Sequence, residues 1–481
     1  MIRMRRLVSV TTVLVLWSAA AAAPGAEETA GAYGKDAPAE RSIPTDMRLA
    51  ERKPIEEPKP ADWYAPLKDI PLGPGALDID FQFRTRYEHY DGYNFPRYNG
   101  DENDDILLLR TWLGFDYKFS EEAHAYVMFQ DSRSYLSSLR RDTYAVTSPF
   151  FDQADVRRAY VEWKHIGGSP LGFKIGRQAW AYGGRRLLGP SNWGNVGGFW
   201  WDAAKVYIDT EPVQVDLFFG QRVIREQIRW DNRHFDFDAM GAWAHFKQLP
   251  CTFDLFYILR YDDHGTTRGE RGVGDTRRHT VGMYTKGTFA RHWDWQGTLA
   301  AQFGVEGEDD VEAYGANARL GYTWLYCPWK PRVAGEFSYA TGDRDPADGD
   351  NNTFDNLFTA PTITYGRMNL FSWQNLMDYQ ATFEVKPLKK LKIWFDYHYF
   401  TLASETDAWY WFNMRPQRRD RTGGSGREHG HEFDIQFKWA CSKNVDLWFG
   451  YSYFVPGNYL ENTAGGDDDA SWGFFQFVYK F

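Results

Sequence analysis

Charged side chains in this chain recur at every second residue. Asp78 and Asp80 are followed at the same spacing by Arg84 and Arg86. On an extended strand that spacing lines one face. Guanidinium groups set in such a row offer planar, paired donors to carboxylates or sugar hydroxyls. Two other groups point to different chemistry. Glu428-His-Gly-His-Glu432 places His429 and His431 at one parity, as a weak metal pair requires, and His398 follows Asp396 by two residues. With a nucleophile at a rim, these could serve a hydrolase. The run Asp343-Arg-Asp-Pro-Ala-Asp-Gly-Asp350 sets Asp343, Asp345, Asp348 and Asp350 around a glycine, a weak candidate for calcium. It lacks the twelve-residue spacing and closing Glu of an EF-hand. The alternative is a solvated loop bridged to lipopolysaccharide by divalent ions.

The elements that position these residues repeat from Ala76 to Phe481. Ten to fifteen residues of alternation are followed by a turn, then by another such segment. Leu77, Ile79, Phe81 and Phe83 fall on one face of the first segment, and Asp78, Asp80, Gln82, Arg84 and Arg86 on the other. Period two with one charged face is a strand signature. Further strands are predicted near 104–118, 121–133, 154–166, 169–180, 199–210, 211–225, 234–248 and 249–263. Then come 276–290, 291–306, 310–325, 329–343, 370–386, 387–402, 427–441, 442–456 and 468–481, about eighteen in all. Connections alternate between tight turns, such as Gly167-Gly-Ser-Pro170 and Gln248-Leu-Pro250, and long loops near 90–103, 134–153, 181–198, 343–369 and 403–426. Short periplasmic turns and long external loops are the asymmetry of an outer-membrane barrel, and an even strand number is its rule. A sandwich or propeller has no reason to segregate loop lengths.

Composition agrees. The aromatic fraction of 18%, with 21 Trp, is high, yet mean hydropathy is −0.57. After the first 25 residues no long apolar run occurs, which excludes a bundle of membrane-spanning helices. The net charge of −10 gives no basic excess for nucleic acid. Arg3, Arg5 and Arg6 precede an apolar stretch, Leu7 to Ala23, that ends in small residues, the pattern of a secretory signal peptide. The predicted organisation is a signal peptide over 1–26, a flexible Pro- and Glu-rich periplasmic arm over 27–75, and a transmembrane barrel over 76–481. Cys251, Cys327 and Cys441 form no disulfide framework or CxxC site and fall at short turns, as buried or interfacial thiols. Phe475, Phe477, Tyr479 and Phe481 make an aromatic, amphipathic last strand, similar to the signal that barrel-assembly machinery reads.

Several motifs carry a family resemblance. They include Pro331-Arg-Val-Ala-Gly-Glu-Phe-Ser-Tyr-Ala-Thr-Gly-Asp343, Thr353-Phe-Asp-Asn-Leu-Phe358 and Leu370-Phe-Ser-Trp-Gln-Asn-Leu376. Lys174-Ile-Gly-Arg-Gln178, Trp394-Phe-Asp-Tyr-His-Tyr-Phe400 and Gly450-Tyr-Ser-Tyr-Phe-Val-Pro-Gly457 continue the series in order. Together they resemble the bacterial alginate export family over nearly the whole barrel region. The resemblance implies an eighteen-stranded porin whose arginine-rich constriction attracts an anionic polyuronate. Three of those arginines are matched by Arg110, Arg158 and Arg177; two more fall at Trp448 and Gly450 here.

Strand parity lists the lumen face. Its cations include Arg84, Arg86, Arg110, Arg158, Lys174, Lys205, Arg222, Arg260 and Arg319, and its anions include Glu162, Asp216, Asp396, Glu432 and Asp434. A charge on the lipid face costs a few kcal/mol at the midplane, so these groups are expected inside, either pairing as ladders in the wall or meeting solute. Arg177 shares the parity of Phe173 and Ile175, so a bulge after Gly176 is predicted to turn it inward. Trp112, Tyr126, Tyr160, Tyr207, Trp394 and Trp448 also have inward parity, as wall packing or as platforms for sugars. The resulting expectation is a passive outer-membrane channel for a hydrophilic, saccharide-type solute, with no resident cofactor and with lipid, lipopolysaccharide and periplasmic export machinery as partners. A barrel enzyme and a structural or adhesin barrel are the alternatives.

Overall fold

On the strand Gly75–Asp91 (β1), Gln82, Arg84, Arg86 and Glu88 are buried while Tyr87 between them is 41% exposed. The same division runs round the molecule, because successive side chains of a strand point to opposite faces. The computed structural model describes residues 63–94, 97–98, 102–139, 143, 147–190, 192–359 and 364–481. Residues 1–62, and with them the expected signal peptide and most of the expected arm, lie outside the described residues.

Seventeen strands follow β1 in the wall. They are β2 (Asp104–Lys118), β3 (Ala123–Tyr135), β4 (Asp152–Trp163), β5 (Leu171–Gln178), β6 (Trp201–Asp209) and β7 (Val213–Ile224). Next are β8 (Asn232–Phe246), β9 (Thr252–Arg268), β10 (Val273–Phe289), β11 (Trp293–Glu306), β12 (Asp309–Thr323) and β13 (Arg332–Ala340). The last are β14 (Leu376–Leu388), β15 (Leu391–Leu402), β16 (Glu428–Ala440), β17 (Val445–Pro456) and β18 (Ala470–Lys480). Each pairs antiparallel with its neighbours in sequence. The sheet closes where β1 pairs with β18, from Gln82↔Lys480 to Asp91↔Ser471. Closure leaves no edge, which is what a sheet in hydrocarbon needs. Outward residues such as Phe219, Phe303, Phe383 and Phe475 stay more than 40% exposed and form the lipid face. No helix among the described residues is long and apolar enough to cross a membrane.

Three expectations need correction. The long connections near 181–198 and 343–369 do not stay outside. Leu187, Leu188, Trp193, Phe354, Leu357, Phe358, Tyr365 and Trp373 are all buried in one cluster with lumen-facing wall residues such as Trp448 and Phe474. Those side chains are too apolar to remain in water, and the lumen is the enclosed space within reach. For the same reason β14 begins at Leu376 rather than near 370: Leu370, Phe371 and Trp373 belong to the inserted loop. Finally, the stretch 63–74 is not a free arm. Ile70–Leu72 pairs with the start of β1, Tyr64 stacks on Phe481 at 5.5 Å, and the Trp63 indole donates to Tyr479 Oη at 3.0 Å. The three thiols do lie at the short-turn end, where none is fully buried.

Candidate functional site: the lumen

Arg84 on β1 and Arg110 on β2 are direct register partners. Like charges placed so would repel; here both turn to the loop between β5 and β6. Arg84 donates to the carbonyls of Asn192 at 3.0 Å, Trp193 at 2.8 Å and Gly194 at 3.2 Å, and to Asn195 Oδ1 at 2.9 Å. Arg110 donates to the carbonyls of Asn192 at 3.0 Å and Gly194 at 2.9 Å. Arg86 reaches the Trp193 carbonyl at 2.6 Å, stacks on the Trp193 ring and pairs with Glu88. The predicted arginine row is therefore real, but its donors hold a ring of backbone oxygens.

A fourth guanidinium was not legible. Arg157 lies between the rings of Trp112 and Trp200, at 4.3 and 4.1 Å, and donates to the Val196 carbonyl at 3.0 Å. Simple parity turns it to lipid. The β3–β4 pairing slips between Met128 and Phe129 and again between Gln130 and Ser132, and Ala154 has φ 44°. That bulge brings Arg157 inside together with Arg158, which also lies over Trp200. Gly197, at φ 107°, permits the contact, since a Cβ there would stand 2.8 Å from Arg157 Nη1.

The second inserted loop, 341–375, is tied in the same manner. Phe358 N–H donates to Leu187 O at 2.9 Å, joining the two loops. Arg186 pairs with Glu336 and reaches Tyr365 Oη at 2.9 Å; Arg260 pairs with Asp355. Glu432 accepts the Met368 amide at 2.9 Å. Trp448, at one position where the family's alginate porin carries arginine, meets the edge of Trp193 at 5.0 Å and lies under Arg367 of the loop at 5.4 Å. Below these loops, toward the short turns, a cavity of about 370 Å³ is lined by Glu162, Lys174, Trp180, Tyr182, Lys205, Tyr207 and Asp216. Lys174 and Lys205 are register partners there. Lys205 Nζ lies 3.1 Å from Asp216 and over Tyr207 at 4.4 Å, while Lys174 Nζ lies 3.8 Å from Glu162. Elsewhere on the wall Arg222 stacks on Phe199 and Arg319 donates to Gln296 at 3.0 Å.

Other expected residues are placed differently. No bulge follows Gly176: both ladders run in register through Arg177, and Gly176 keeps φ 120° because a Cβ would meet Ala159 O at 2.2 Å. Arg177 retains the parity of Ile175 and forms a paired bridge to Asp202, at 2.8 and 3.1 Å. The irregularity belongs to β4 instead. His429 and His431 do not share a face. The β15–β16 register slips beside Gly430, which has φ 138°, so His429 packs among Phe371, Trp409 and Tyr459 while His431 meets Tyr397 Oη at 2.9 Å. His398 is held by Asp378, at 2.9 Å, rather than by Asp396, which accepts from Gln380 and Thr382. The acids at Asp343, Asp345, Asp348 and Asp350 do not converge; among the described residues the one three-carboxylate group close enough for an ion is Asp152, Asp155 and Asp231.

A closed eighteen-strand barrel with a lipid-facing apolar wall, a charged lumen and inserted loops is an outer-membrane channel. Solved barrels share the fold. Pseudomonas aeruginosa OpdQ matches at TM-score 0.55 with 11% identity, covering 84% of this chain and 98% of its own. Pseudomonas aeruginosa OpdK matches at 0.56 with 9% identity, covering 84% and 98%. Acinetobacter baumannii OccAB1 matches at 0.54 with 12% identity, covering 84% and 97%. No curated protein matches in sequence. The alginate export family model matches residues 76–474, and the chain belongs to that family. It is a passive outer-membrane channel for saccharide-type solutes.

Proposed function

We propose that the solute is an anionic saccharide of uronate type, and that the barrel passes it without chemistry of its own. The observation that carries this reading is the cavity at the short-turn mouth. Paired lysines, Lys174 and Lys205, face it beside the aromatic surfaces of Tyr182 and Tyr207. About 300–1,000 Å³ is the range of ligand sites, and aromatic faces with charged neighbours suit a sugar ring bearing a carboxylate. Above it, the arginines hold carbonyl oxygens of the loop, acceptors that a uronate carboxylate can replace. Catalysis is not supported by the histidines: His398 is locked to Asp378 and His429 is sealed among aromatics.

Single-channel recording tests the proposal. Oligouronate added on the short-turn side should block current more strongly than a neutral oligosaccharide of equal length. Lys205→Ala should weaken uronate block about fivefold, the effect of losing roughly 1 kcal/mol of charge pairing, and leave neutral block unchanged. Equal block by both sugars in the native channel would refute the reading.

A further inference from the structure

Asp152 and Asp155, at the start of β4, meet Asp231, at the end of the β7–β8 loop. One oxygen from each carboxylate lies within 4.8 Å of the other two. They line a cavity of about 10 Å³, the room that one water-sized particle needs. Asp152 and Asp155 are each 2% exposed. Backbone amides hold two of the acids in place: Asp155 Oδ2 accepts from Asp231 N–H at 2.6 Å, and Asp231 Oδ1 accepts from Glu226 N–H at 2.8 Å. Asp152 Oδ2 accepts from Gln130 at 3.2 Å, while its Oδ1 is buried and accepts no hydrogen bond from any described residue.

An ionised oxygen buried in that state is costly unless a cation or proton meets it. Three guanidinium groups line the same cavity and bear on the acids by charge, while they also serve other partners. Arg177 is bridged to Asp202, with Asp155 at 3.9 Å, and Arg225 donates to the Gly197 carbonyl. Arg157 donates to Val196 O. Oxygen-only donors select hard cations, and calcium–oxygen distances of about 2.4 Å allow donor separations up to about 4.8 Å.

We propose that Asp152, Asp155 and Asp231 form a divalent-cation site of calcium type. Burial, and then the neighbouring Asp152 and Asp155 charges, push the Asp231 carboxyl up from its usual range, the repulsion that a cation relieves. Val196 and Trp200 of the inserted loop line the same cavity, so an ion there clamps the β4 bulge, the external loop and the arginine-held loop together.

The test uses the full folded chain in detergent after EDTA treatment, with its fold checked by heat-modifiable gel mobility. Terbium luminescence sensitised by tryptophan, with Trp200 beside the site, should report one saturable site that calcium displaces. Asp152→Asn and Asp231→Asn should each weaken it at least tenfold, and calcium should raise the unfolding temperature of the native chain but not of Asp231→Asn. Asp348→Asn, in the external acidic run, should leave binding unchanged. If Asp152→Asn fails to fold, the loop variant Asp231→Asn decides. Absence of a calcium-displaceable signal, or a signal that survives Asp231→Asn, would overturn the proposal and leave a shared proton as the occupant.

Discussion

The seating of the loop at 192–197 should depend on Arg84 and Arg110. Replacing Arg84 by Met keeps the apolar stem but removes four hydrogen bonds, three to carbonyls and one to Asn195. Bonds from a charged donor are worth about 1.5–3 kcal/mol each, so their plain sum is a ceiling, because lumen water re-satisfies part of what is lost. Removing one partner from a buried charged contact costs about 3–5 kcal/mol. Arg110 still holds two of the same carbonyls, so Arg84→Met alone should fall at the lower end and the double variant Arg84→Met/Arg110→Met at the upper. At about 1.4 kcal/mol per decade, the seated-to-unseated ratio falls between about a hundredfold and several thousandfold. Hydrogen exchange reads this at the Val196 amide, which donates to Pro149 O at 3.2 Å, and planar-bilayer conductance reads it as larger or noisier openings. Native-like exchange and conductance in the folded double variant would refute the claim that these arginines hold the loop.

Other consequences are open to simpler measurements. Trp63→Ala removes an edge contact with Phe481 at 5.0 Å and a hydrogen bond to Tyr479; it should cost about 1–2 kcal/mol, seen as earlier heat unfolding, and an unchanged midpoint would deny the stretch 63–74 a role in closing the seam. Gly176→Val forces a β-branched residue to φ 120° against Ala159 O and should lower the yield of folded barrel sharply; normal folding would mean the strand can shift. Burial, then a hydrogen bond and charge shared with Glu270 and the charge of Asp407, push the Asp343 carboxyl up to about 7. A raised folded value means its stabilisation is complete below about pH 4 and is lost as pH rises through about 7. Exchange of residues 343–350, corrected for intrinsic rates, should therefore be slower at pH 5 than at pH 8, and the reverse order would contradict the raised Asp343 carboxyl.

Strand alternation made the wall legible because period two is imposed by the pleat and by the contrast between lipid and water, both local to each strand. Hence spacing alone puts Arg84, Arg86 and Arg110 on the face that the barrel buries. What spacing does not encode is where the ladder slips. Spacing alone leaves Arg157 off the lumen face and sets His429 and His431 on one face, because a bulge changes parity without changing composition. Gly176 shows the converse: a glycine can hold a positive φ with no extra residue in the ladder. Spacing does not place the loops, for another reason. Trp193, Leu357 and Phe371 are apolar residues with no periodicity, and their destination depends on the volume inside a closed barrel, a property of all eighteen strands at once. The arginines of the candidate site were thus visible, but their partners, carbonyls from a distant loop, were not.

If anions pass through the closed wall beside Lys174 and Lys205, the barrel is anion-selective. The reversal potential of the purified barrel in a planar bilayer under a potassium chloride gradient tests it most directly. Discrete steps with a reversal potential on the anion-selective side, moving toward zero when Lys174 and Lys205 are both changed to Gln, are predicted. A folded barrel that carries no current, or one selective for cations, would contradict the account.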